Sequence, residues 1–584
     1  MCRFAALFVA VLTMVPCTRG ELLRYVDDDA PAGGDGQSWA SAYRFLQDAL
    51  AEAGVHAIEV RVAGGAYRPD ESSAFPAGSG DRTGSFLVEG GVALVGGYAG
   101  IHALDPDRRD PDQFPTVLDG DLAENDTPDI FSTFDNAFRV VVCNSGSANR
   151  LDGVTVRAGY AMGSMPFDRG GGLHQAGGEL LVTDCLFQNN HAFDAGGIYA
   201  SAGTLTIQGC RFHANGAGRG GGVWLYGAEP AHVTDSEFWE NTASLGVGLY
   251  VSGGASTFIR RCHFHDNGPP HSGAGGGIGV ENADPLITDC LFERNHVVGG
   301  GGGIITVFSD AIILNCTFVN NLADGDGGDS LYHAAGNPRC WNSALFVDSA
   351  NPFGNAQVIS VEANTEYRHC TIAQHVPSDF TVAFFVQLGS LSLANCIVWG
   401  HQVTGSALDD AQIWNLRFAE GQIDVQHSII QGWSGALGGD GNSGADPAFI
   451  SLAHGVLRPA PGSPAIDAGH NGLTPADLAD LDGDADTSEP LPLDLLNRPR
   501  RTDDPLAPDT GPGTSPIVDL GPFESAAWPG DCNADGWITL ADLSAYDACF
   551  LGPLTPTPCA CADLDADSDV DLTDFAAVQT GLRR

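Results

Sequence analysis

The hydrophobic positions between residues 181 and 328 recur with a regular period. Six copies of one phrase follow each other, and each contains short apolar runs that are rich in Val, Ile, Leu and Phe and are bounded by Gly and Asn. Such runs are typical of β-strands, and no copy contains a helical pattern. A repeat of roughly 20 to 50 residues indicates a solenoid, a propeller or an array. Because this repeat is too short for a four-stranded propeller blade, it predicts an all-β, right-handed parallel β-helix solenoid.

Two columns of residues run through the copies. A small residue precedes each hydrophobic pair, with steps of 25, 26, 26, 28 and 26 residues, at Cys185, Cys210, Ser236, Cys262, Cys290 and Cys316. An asparagine follows in every copy, at Asn190, Asn215, Asn241, Asn267, Asn295 and Asn321. Equivalent positions in successive turns of a β-helix lie about 4.8 Å apart. We therefore expect ladders of buried reduced thiols and of asparagines hydrogen-bonded to each other.

A pair of glycines, such as Gly196 and Gly197, ends each stretch between strands and predicts a tight corner. With these columns and corners, the chain resembles the pectate-lyase-like superfamily of right-handed β-helices. The resemblance implies the architecture. It leaves the activity open, because that fold carries lyases, hydrolases, adhesins and inert rods alike.

The N-terminal part divides into two regions. Residues 1–20 combine an early arginine with an apolar run, which is typical of a secretory signal peptide and predicts a secreted or surface-exposed protein. Residues 21–150 predict an N-terminal cap followed by irregular first turns. In this region Tyr43, Leu46, Leu50 and Ala53 follow helical spacing. A short amphipathic helix is therefore expected to cover the open end of the solenoid.

The regular turns are predicted for residues 151–443, and a different segment follows at 444–524. Its phrases PGSPAIDAG and VDLGPFE resemble the C-terminal part of choice-of-anchor Q proteins, which implies that this segment closes the solenoid. Four aspartates within it have the spacing of a calcium loop: Asp480, Asp482, Asp484 and Asp486. No helical pattern flanks them, so we interpret this stretch as an acidic surface turn.

The net charge of the chain limits the kinds of molecule that it is expected to bind. The chain contains 27 arginines, no lysine and 73 acidic residues, for a formal net charge of −46. Nucleic acids and anionic membrane surfaces are therefore not expected as partners, whereas the excess of aspartate suits Ca²⁺. Beyond the signal peptide, no apolar run is long enough to predict a membrane span.

The C-terminal segment, residues 525–584, contains two twelve-residue loops with oxygen ligands at alternate positions. The side-chain ligands of the first loop are Asp531, Asn533, Asp535, Thr539 and Asp542, and those of the second are Asp563, Asp565, Asp567, Asp571 and Asp574. The backbone carbonyls of Trp537 and Asp569 would complete each shell. Hard oxygen ligands in this pattern predict Ca²⁺ as a cofactor.

The two loops, each followed by a helical run, make this segment similar to a type I dockerin. The resemblance implies a cohesin-like protein partner. Ser568 replaces the usual glycine of the second loop, which weakens that site, and tandem loops of this kind also serve only as calcium-stiffened ends. Four nearby cysteines are expected to form disulfides of undetermined pairing: Cys532, Cys549, Cys559 and Cys561.

Candidate catalytic residues lie at the glycine corners of three successive turns, at Asp168, Asp194 and Arg219. Two aspartates stacked one turn apart would lie about 5 Å from each other. Beside a guanidinium, such a pair could hold Ca²⁺ against a uronate or provide the acid and nucleophile of a glycosidase. The alternative is a surface salt-bridge ladder. Further titratable residues follow in later turns: His271, His296, Asp324 and Asp326.

The known motifs of the superfamily argue against its standard enzymes. The Gly-His-Gly and Arg-Ile-Lys phrases of polygalacturonases are missing, and the helper lysines of pectate lyases are missing because the chain has no lysine. Two functions therefore stay open. One is a secreted protein that binds, and in one version cleaves, an extended polysaccharide and is tethered or stabilised by its calcium-binding tail. The other is a non-enzymatic adhesin or structural rod. We favour the first.

Overall fold

The structure is a computed structural model that describes residues 22–525 apart from 54–56, 127–132, 145–147, 255, 269–272, 326, 349–355, 377–379, 404–411, 416–421 and 505–506. The predicted signal peptide and the dockerin-like calcium loops lie outside the described residues. The described chain is a right-handed parallel β-helix, so the predicted fold class is confirmed.

Each regular turn contributes one strand to each of three stacks, and each stack is a parallel sheet that runs along the solenoid. The first stack consists of β4 (Phe86–Leu87), β7 (Val141–Cys143), β11 (Leu173–Gln175), β15 (Ile198–Ala200), β18 (Val223–Tyr226), β21 (Leu249–Ser252), β24 (Ile278–Glu281), β28 (Ile304–Val307), β32 (Leu331–Gly336) and β40 (Ile413–Asn415).

The second stack consists of β1 (Leu22–Val26), β2 (Ile58–Ala63), β5 (Val92–Tyr98), β8 (Ala148–Asp152), β12 (Glu179–Thr183), β16 (Thr204–Gln208), β19 (Ala231–Thr234), β22 (Thr257–Arg260), β25 (Leu286–Thr288), β29 (Ile312–Leu314), β33 (Arg339–Trp341) and β41 (Gln422–Gln426). Two long strands, β35 (Ala356–Arg368) and β37 (Phe380–Ala394), belong to both stacks and join them into one sheet.

The third stack has thirteen strands. They are β3 (Gly65–Tyr67), β6 (Thr116–Asp119), β9 (Val154–Arg157), β13 (Leu186–Gln188), β17 (Arg211–His213), β20 (Glu237–Trp239), β23 (His263–His265), β26 (Leu291–Glu293), β30 (Thr317–Val319), β34 (Ala344–Val347), β36 (Thr371–Gln374), β38 (Ile397–Trp399) and β42 (Ile429–Ile430).

The remaining elements are short. The strands are β10 (Tyr160–Ala161) paired with β14 (His191–Ala192), β27 (His296–Val297) paired with β31 (Leu322–Ala323), β39 (Gln402–Val403) antiparallel to β37, and β43 (Phe449–Ser451) paired with β44 (Val456–Pro459). The helices are α1 (Leu46–Leu50) and 3₁₀ turns at Trp39–Ser41, Leu452–His454 and Asn471–Leu473. None of the helices in the described part of the chain is long and apolar enough to cross a bilayer.

Interior side chains form straight ladders, as the columns of the sequence predict. Six phenylalanines lie in register on the third stack with ring centroids 4.6 to 5.2 Å apart, at Phe187, Phe212, Phe238, Phe264, Phe292 and Phe318. The cysteine column beside them is buried and holds free thiols, as expected. Burial raises the pKa of the Cys185 thiol and of the Cys262 thiol well above the usual value for cysteine. Both thiols therefore stay protonated and unreactive.

The asparagine column is fully hydrogen-bonded within the core. The side-chain amide of Asn215 donates to Phe187 O at 2.9 Å and to Asn241 Oδ1 at 3.1 Å. The backbone N–H of Asn215 donates to the same oxygen at 3.0 Å. The same pattern continues from Asn190 to Asn321. From Asn190 to Asn295, each side-chain amide therefore ties neighbouring turns together and uses both of its N–H donors.

The predicted short helix near the N-terminus is confirmed as α1. Leu46, Ala49 and Leu50 of α1 are buried against the solenoid core, and Tyr43 and Ala53 pack on it while partly exposed. The helical face that the sequence predicts is therefore the face that covers the first turns.

The segment after residue 443 packs along the flank of the late turns. Leu457 joins a buried cluster with Phe346 of β34 and Ala373 of β36. The fully buried Arg500 anchors the segment, because its guanidinium donates to the carbonyls of Gly521 and Pro522 at 3.0 Å and to the side chain of Asn342. Residues 444–524 thus lie beside the solenoid, and their expected role in closing its end stays a prediction.

The asparagine ladder predicts a large effect of one substitution. Asn241→Ala would remove the oxygen that accepts from the backbone and side-chain N–H groups of Asn215, and would leave both donors without that partner inside the core. It would also remove the side-chain donor to Phe212 O and to Asn267 Oδ1. We expect the free energy of unfolding to fall by about 2–5 kcal/mol, because each orphaned buried group costs about 1–3 kcal/mol. Urea unfolding followed by circular dichroism measures the change.

The matched control is Gln188→Ala, which removes an amide from the outward face of β13, where the side chain is partly exposed. We expect it to change the unfolding midpoint little. Equal losses for the two variants would contradict a structural role of the ladder.

Candidate functional site

Outward-facing rings form a column on the first stack. His174, Tyr199, Trp224 and Tyr250 occupy equivalent positions of β11, β15, β18 and β21. Successive ring centroids are 5.4, 5.2 and 5.6 Å apart. The alternation of the strands points these rings away from the solenoid core, and the last three form a separate buried cluster. We call these four residues the aromatic column.

Arginines from the turns that precede these strands lie over the aromatic column. The guanidinium carbon of Arg219 lies 4.3 Å from the ring centre of Trp224, and that of Arg169 lies 5.3 Å from Tyr199. Arg139 lies one turn further and donates to the carbonyl of Arg169 at 3.0 Å. Cation–π contacts of this kind hold the arginines flat on the rings while part of each of the first two side chains stays in solvent.

The structure brings the three predicted catalytic residues together in this layer. Arg219 donates from Nε and Nη2 to the two carboxylate oxygens of Asp194, both at 3.0 Å. Arg169 Nε lies 3.6 Å from Asp194 Oδ2 and 3.8 Å from Asp168 Oδ2. The Asp194 side chain is only 2% exposed, whereas that of Asp168 is 15% exposed. The arrangement is an ion-pair ladder in which Asp194 lies between two arginines.

The register differs from the expected one by one residue. Arg169, and not Asp168, pairs with Asp194 on the next turn. The reason is that these two turns are in register at 25 residues, as the pairing of Leu173 with Ile198 shows, whereas Asp168 and Asp194 are 26 residues apart. A guanidinium therefore lies where the sequence predicts the first carboxylate. The catalytic role of Asp168, Asp194 and Arg219 stays a prediction.

Burial and charge shift two pKa values in this layer. Burial lowers the pKa of Arg219, but its hydrogen bonds with Asp194 outweigh that effect and the net pKa is raised. Burial, together with the positive charges of Arg139 and Arg169, lowers the pKa of His174 to about 4. His174 is therefore neutral at pH 7, and its protonation would add a third positive charge beside the two arginines.

Two exposed aromatic side chains flank the ion-pair ladder. Tyr226, at the end of β18, is 48% exposed and makes an edge contact with Trp224 at 5.7 Å. Phe193 precedes Asp194 directly and is 60% exposed. Arginines, carboxylates and exposed rings thus share one face that runs along the solenoid axis. We call Arg169, Arg219, Asp168, Phe193 and Tyr226 the arginine–aromatic face.

The later candidates of the sequence lie elsewhere. His296 of β27 and Asp324 pair with each other across one turn, with Nε2 and Oδ1 2.6 Å apart. His271 and Asp326 lie outside the described residues.

A group of possible metal ligands lies on the outer face of the third stack. One donor atom each of Glu237, His263 and His265 lies within 4.8 Å of the others, and His265 Nε2 is 3.1 Å from Glu237 Oε1. Burial and the adjacent His265 lower the pKa of His263. Imidazole and carboxylate donors of this kind suit first-row transition metals.

Reasoning from the sequence missed the aromatic column. Its signal was present, since Tyr199, Trp224 and Tyr250 recur at steps of 25 and 26 residues directly after the glycine corners. The same holds for the outward stack of His213, Trp239 and His265 on the third stack. A column of outward-facing residues that mixes His, Tyr and Trp is not visible in the pattern of hydrophobic positions alone.

Comparison with known families agrees with the observed architecture. Residues 122–256 and 241–337 match the family described as the right handed beta helix region, and residues 529–583 match the dockerin type I domain. The chain is therefore a parallel β-helix protein with a dockerin type I tail.

Comparison with individual proteins adds little to this assignment. No curated protein sequence matches the chain significantly. A solved structure, described as the crystal structure of pectate lyase Pel9A, aligns over 86% of this chain and 96% of its own length at 12% identity, with a TM-score of 0.33. A likeness of that size says nothing about activity.

The low pKa of His174 predicts a pH dependence of stability. In the unfolded chain this histidine takes up a proton near pH 6.5, but in the folded chain it does so only near pH 4. The unfolded state therefore binds more protons between these values, and folding weakens as the pH falls through this window. The contribution lost by pH 4 is on the order of 3 kcal/mol, at about 1.4 kcal/mol for each pH unit.

His174→Gln removes this titration while keeping a polar side chain. We expect the stability difference between the native chain and the variant to change steadily from pH 6.5 to pH 4, as measured by urea unfolding at each pH. A difference that is independent of pH would contradict a depressed pKa. His102→Gln is the matched control, because the His102 side chain is 74% exposed.

Proposed function

We propose that the chain is a secreted protein that binds an extended polysaccharide along the arginine–aromatic face and is tethered through its dockerin tail. The observation that carries this proposal is the file of arginines and rings along the solenoid axis. Successive turns lie about 4.8 Å apart, which is comparable with the length of one sugar unit in an extended glycan. A straight polymer could therefore contact several turns with similar geometry.

The chemistry of the arginine–aromatic face suits sugars. Exposed rings such as Tyr226 present an apolar surface to the C–H face of a pyranose. The side chain of Arg219 is 43% exposed and that of Arg169 is 32% exposed. Guanidinium groups bind carboxylates through paired hydrogen bonds. Arg139, Arg169 and Arg219 balance Asp168, Asp194 and Glu281 here, so in a chain of net charge −46 this region repels a glycan with acidic units less than the rest of the surface does.

The pairing of Asp194 favours binding without cleavage. Both of its oxygens accept hydrogen bonds from Arg219 and its side chain is only 2% exposed, so little of the carboxylate is open to a bound ligand. A non-enzymatic adhesin or rod is thus the second candidate. If the chain cleaves its ligand, the predicted catalytic residues remain Asp168, Asp194 and Arg219.

The match to the dockerin type I domain supports the role of the tail. We propose that the loops that begin at Asp531 and Asp563 bind Ca²⁺ and that the folded tail binds a cohesin-like protein partner. A secreted solenoid with such a tail would be held close to the polysaccharide that it binds. This role requires the protein to be extracellular. Nucleic acid is not part of this proposal.

Substitutions on the arginine–aromatic face test the binding proposal. Arg219→Ala and Tyr226→Ala are expected to weaken binding to an acidic polysaccharide about three- to tenfold, because loss of one ring or guanidinium contact costs about 0.5–1.5 kcal/mol. Affinity electrophoresis of the full chain through gels that contain acidic or neutral polysaccharides measures the effect.

Phe308→Ala is the matched control. Phe308 is a 65% exposed ring that follows β28, three turns beyond β18 on the same stack. Equal retardation of all variants would contradict binding at this face. The same mixtures are analysed for new reducing or unsaturated ends, and cleavage that survives in both Asp168→Asn and Asp194→Asn would remove the catalytic assignment.

The tail proposal predicts calcium binding by the full chain. Asp531→Ala combined with Asp563→Ala should remove two Ca²⁺ ions from the stoichiometry measured by calorimetry, because each substitution deletes the first ligand of a loop. Asp547→Ala, between the loops, should change nothing. An unaltered stoichiometry in the double variant would contradict the assignment of these loops.

A further inference from the structure

A loop in the segment of residues 444–524, which we call the flank segment, contains six carboxylates, and five of them lie close together. It runs from Asp477 to Glu489, and its base is fixed because Asp477 N–H donates to the carbonyl of Glu489 at 2.9 Å. The next pair outward is also hydrogen-bonded, from Leu491 N–H to Pro475 O at 2.8 Å. The two ends of the loop are therefore held together by the backbone, and the acidic side chains between them are confined to a small volume.

The carboxylates form two groups that share one member. Donor oxygens of Asp477, Asp482 and Glu489 lie within 4.8 Å of each other, and so do those of Asp480, Asp482 and Asp484. Asp482 belongs to both groups, so all five side chains surround one region. Carboxylates at such distances repel each other strongly unless a cation or protons lie between them.

A second observation distinguishes this group from an ordinary acidic turn. The Asp477 side chain is fully buried, with a relative exposure of 0%. Its Oδ2 accepts a hydrogen bond from Leu481 N–H at 2.7 Å, but Oδ1 is buried and has no hydrogen-bond partner in the part of the chain that the structure describes. Glu489 Oε1 is also buried without one. Buried carboxylate oxygens of this kind require a partner, and a bound cation at the cluster would provide it.

We propose that the loop from Asp477 to Glu489 is a Ca²⁺ site, separate from the loops of the tail. Ca²⁺ takes six to eight oxygen ligands and tolerates irregular geometry, and the five carboxylates supply most of such a shell. Backbone carbonyls or water complete it. The sequence-based alternative is an acidic surface turn that binds no ion.

The position of the site gives the ion a structural role. Leu481 and Leu491, within and just beyond the loop, pack in one buried cluster with Leu314 of β29 and Trp341 of β33. An ion that fixes the loop would therefore also fix the contact between the flank segment and the late turns. Calcium would act as a clamp that holds residues 444–524 on the solenoid.

The test uses the full chain with Asp531→Ala and Asp563→Ala as the parent, so that tail binding does not mask this site. Tb³⁺, which replaces Ca²⁺ at oxygen sites, is titrated with excitation of the nine tryptophans, of which Trp341 packs against this loop. Trp341→Phe should remove the sensitised Tb³⁺ emission that arises from this site. Ca²⁺ competition gives the calcium affinity. If the tail loops bind no calcium, the parent substitutions change nothing and the titration still reports on this loop.

Asp482→Asn is the decisive variant, since Asp482 belongs to both carboxylate groups and is exposed, so the fold should tolerate the change. We expect it to weaken Ca²⁺ competition at least tenfold. Asp486→Asn is the matched control in the same loop, because its carboxylate instead accepts hydrogen bonds from the backbone and hydroxyl of Ser488 at 2.9 and 2.6 Å. It should keep the parent affinity.

Thermal unfolding provides an independent test, because the difference in melting temperature between Asp482→Asn and the parent should change sign when Ca²⁺ is added. With a calcium chelator present, Asp482→Asn should melt above the parent, because one of five repelling charges is gone. With saturating Ca²⁺ the order should reverse, because only the parent gains the ion. A parent that shows no calcium-dependent shift, or equal Ca²⁺ affinities for Asp482→Asn and Asp486→Asn, would overturn the proposal. Asp477→Asn serves as the second ligand variant and should behave like Asp482→Asn.

Discussion

The in-register hydrogen bonds between successive turns determine every other feature of this molecule. Each strand pairs with the equivalent strand of the next turn, so a slip of one residue would turn a buried column to solvent. The asparagine ladder opposes such a slip. Asn241 Oδ1 accepts from both the backbone and the side chain of Asn215, and it can do so only when the two turns are aligned. The interior amides thus fix the register at every regular turn, and the phenylalanine and cysteine ladders follow from it.

The same register aligns the outside of the solenoid. Because side chains alternate along a strand, each buried file on the first stack has an outward file beside it, and the aromatic column is one of these. Rings at Tyr199, Trp224 and Tyr250 would expose a large apolar surface if they were bare. The arginines of the preceding turns cover them, and aspartates between the arginines reduce the repulsion along the file. A surface with both charge and exposed rings is therefore a consequence of how the aromatic column is shielded.

The sequence predicts interior columns better than it predicts the site, for a physical reason. Cys185 and Asn190 belong to the constant part of the repeat, where an insertion would break the ladder. The step between turns varies from 25 to 28 residues. Asp168 lies 26 residues before Asp194, but these two turns are in register at 25 residues, so Arg169 occupies the position opposite Asp194. The way the flank segment packs on the solenoid is still harder to predict from the sequence. Its docking depends on contacts such as Arg500 with Asn342, which are 158 residues apart, and no local pattern encodes such a pair.

The flank segment also contains several buried carboxyl groups, and burial disfavours their charged form. Burial raises the pKa of the Asp519 carboxyl to about 7 and that of the Glu524 carboxyl well above its usual value, while Arg500 lies 3.5 Å from Glu524. One arginine cannot neutralise both, so part of this segment depends on bound protons. The loop at Asp477 differs because Asp482 and Asp484 are exposed, so a cation from solvent can reach the carboxylates. A cation is therefore the neutralising partner that suits a cluster with the buried Asp477 at its base and exposed carboxylates at its rim. In the flank segment, protons are expected to reduce the charge repulsion in one acidic region and a cation in the other.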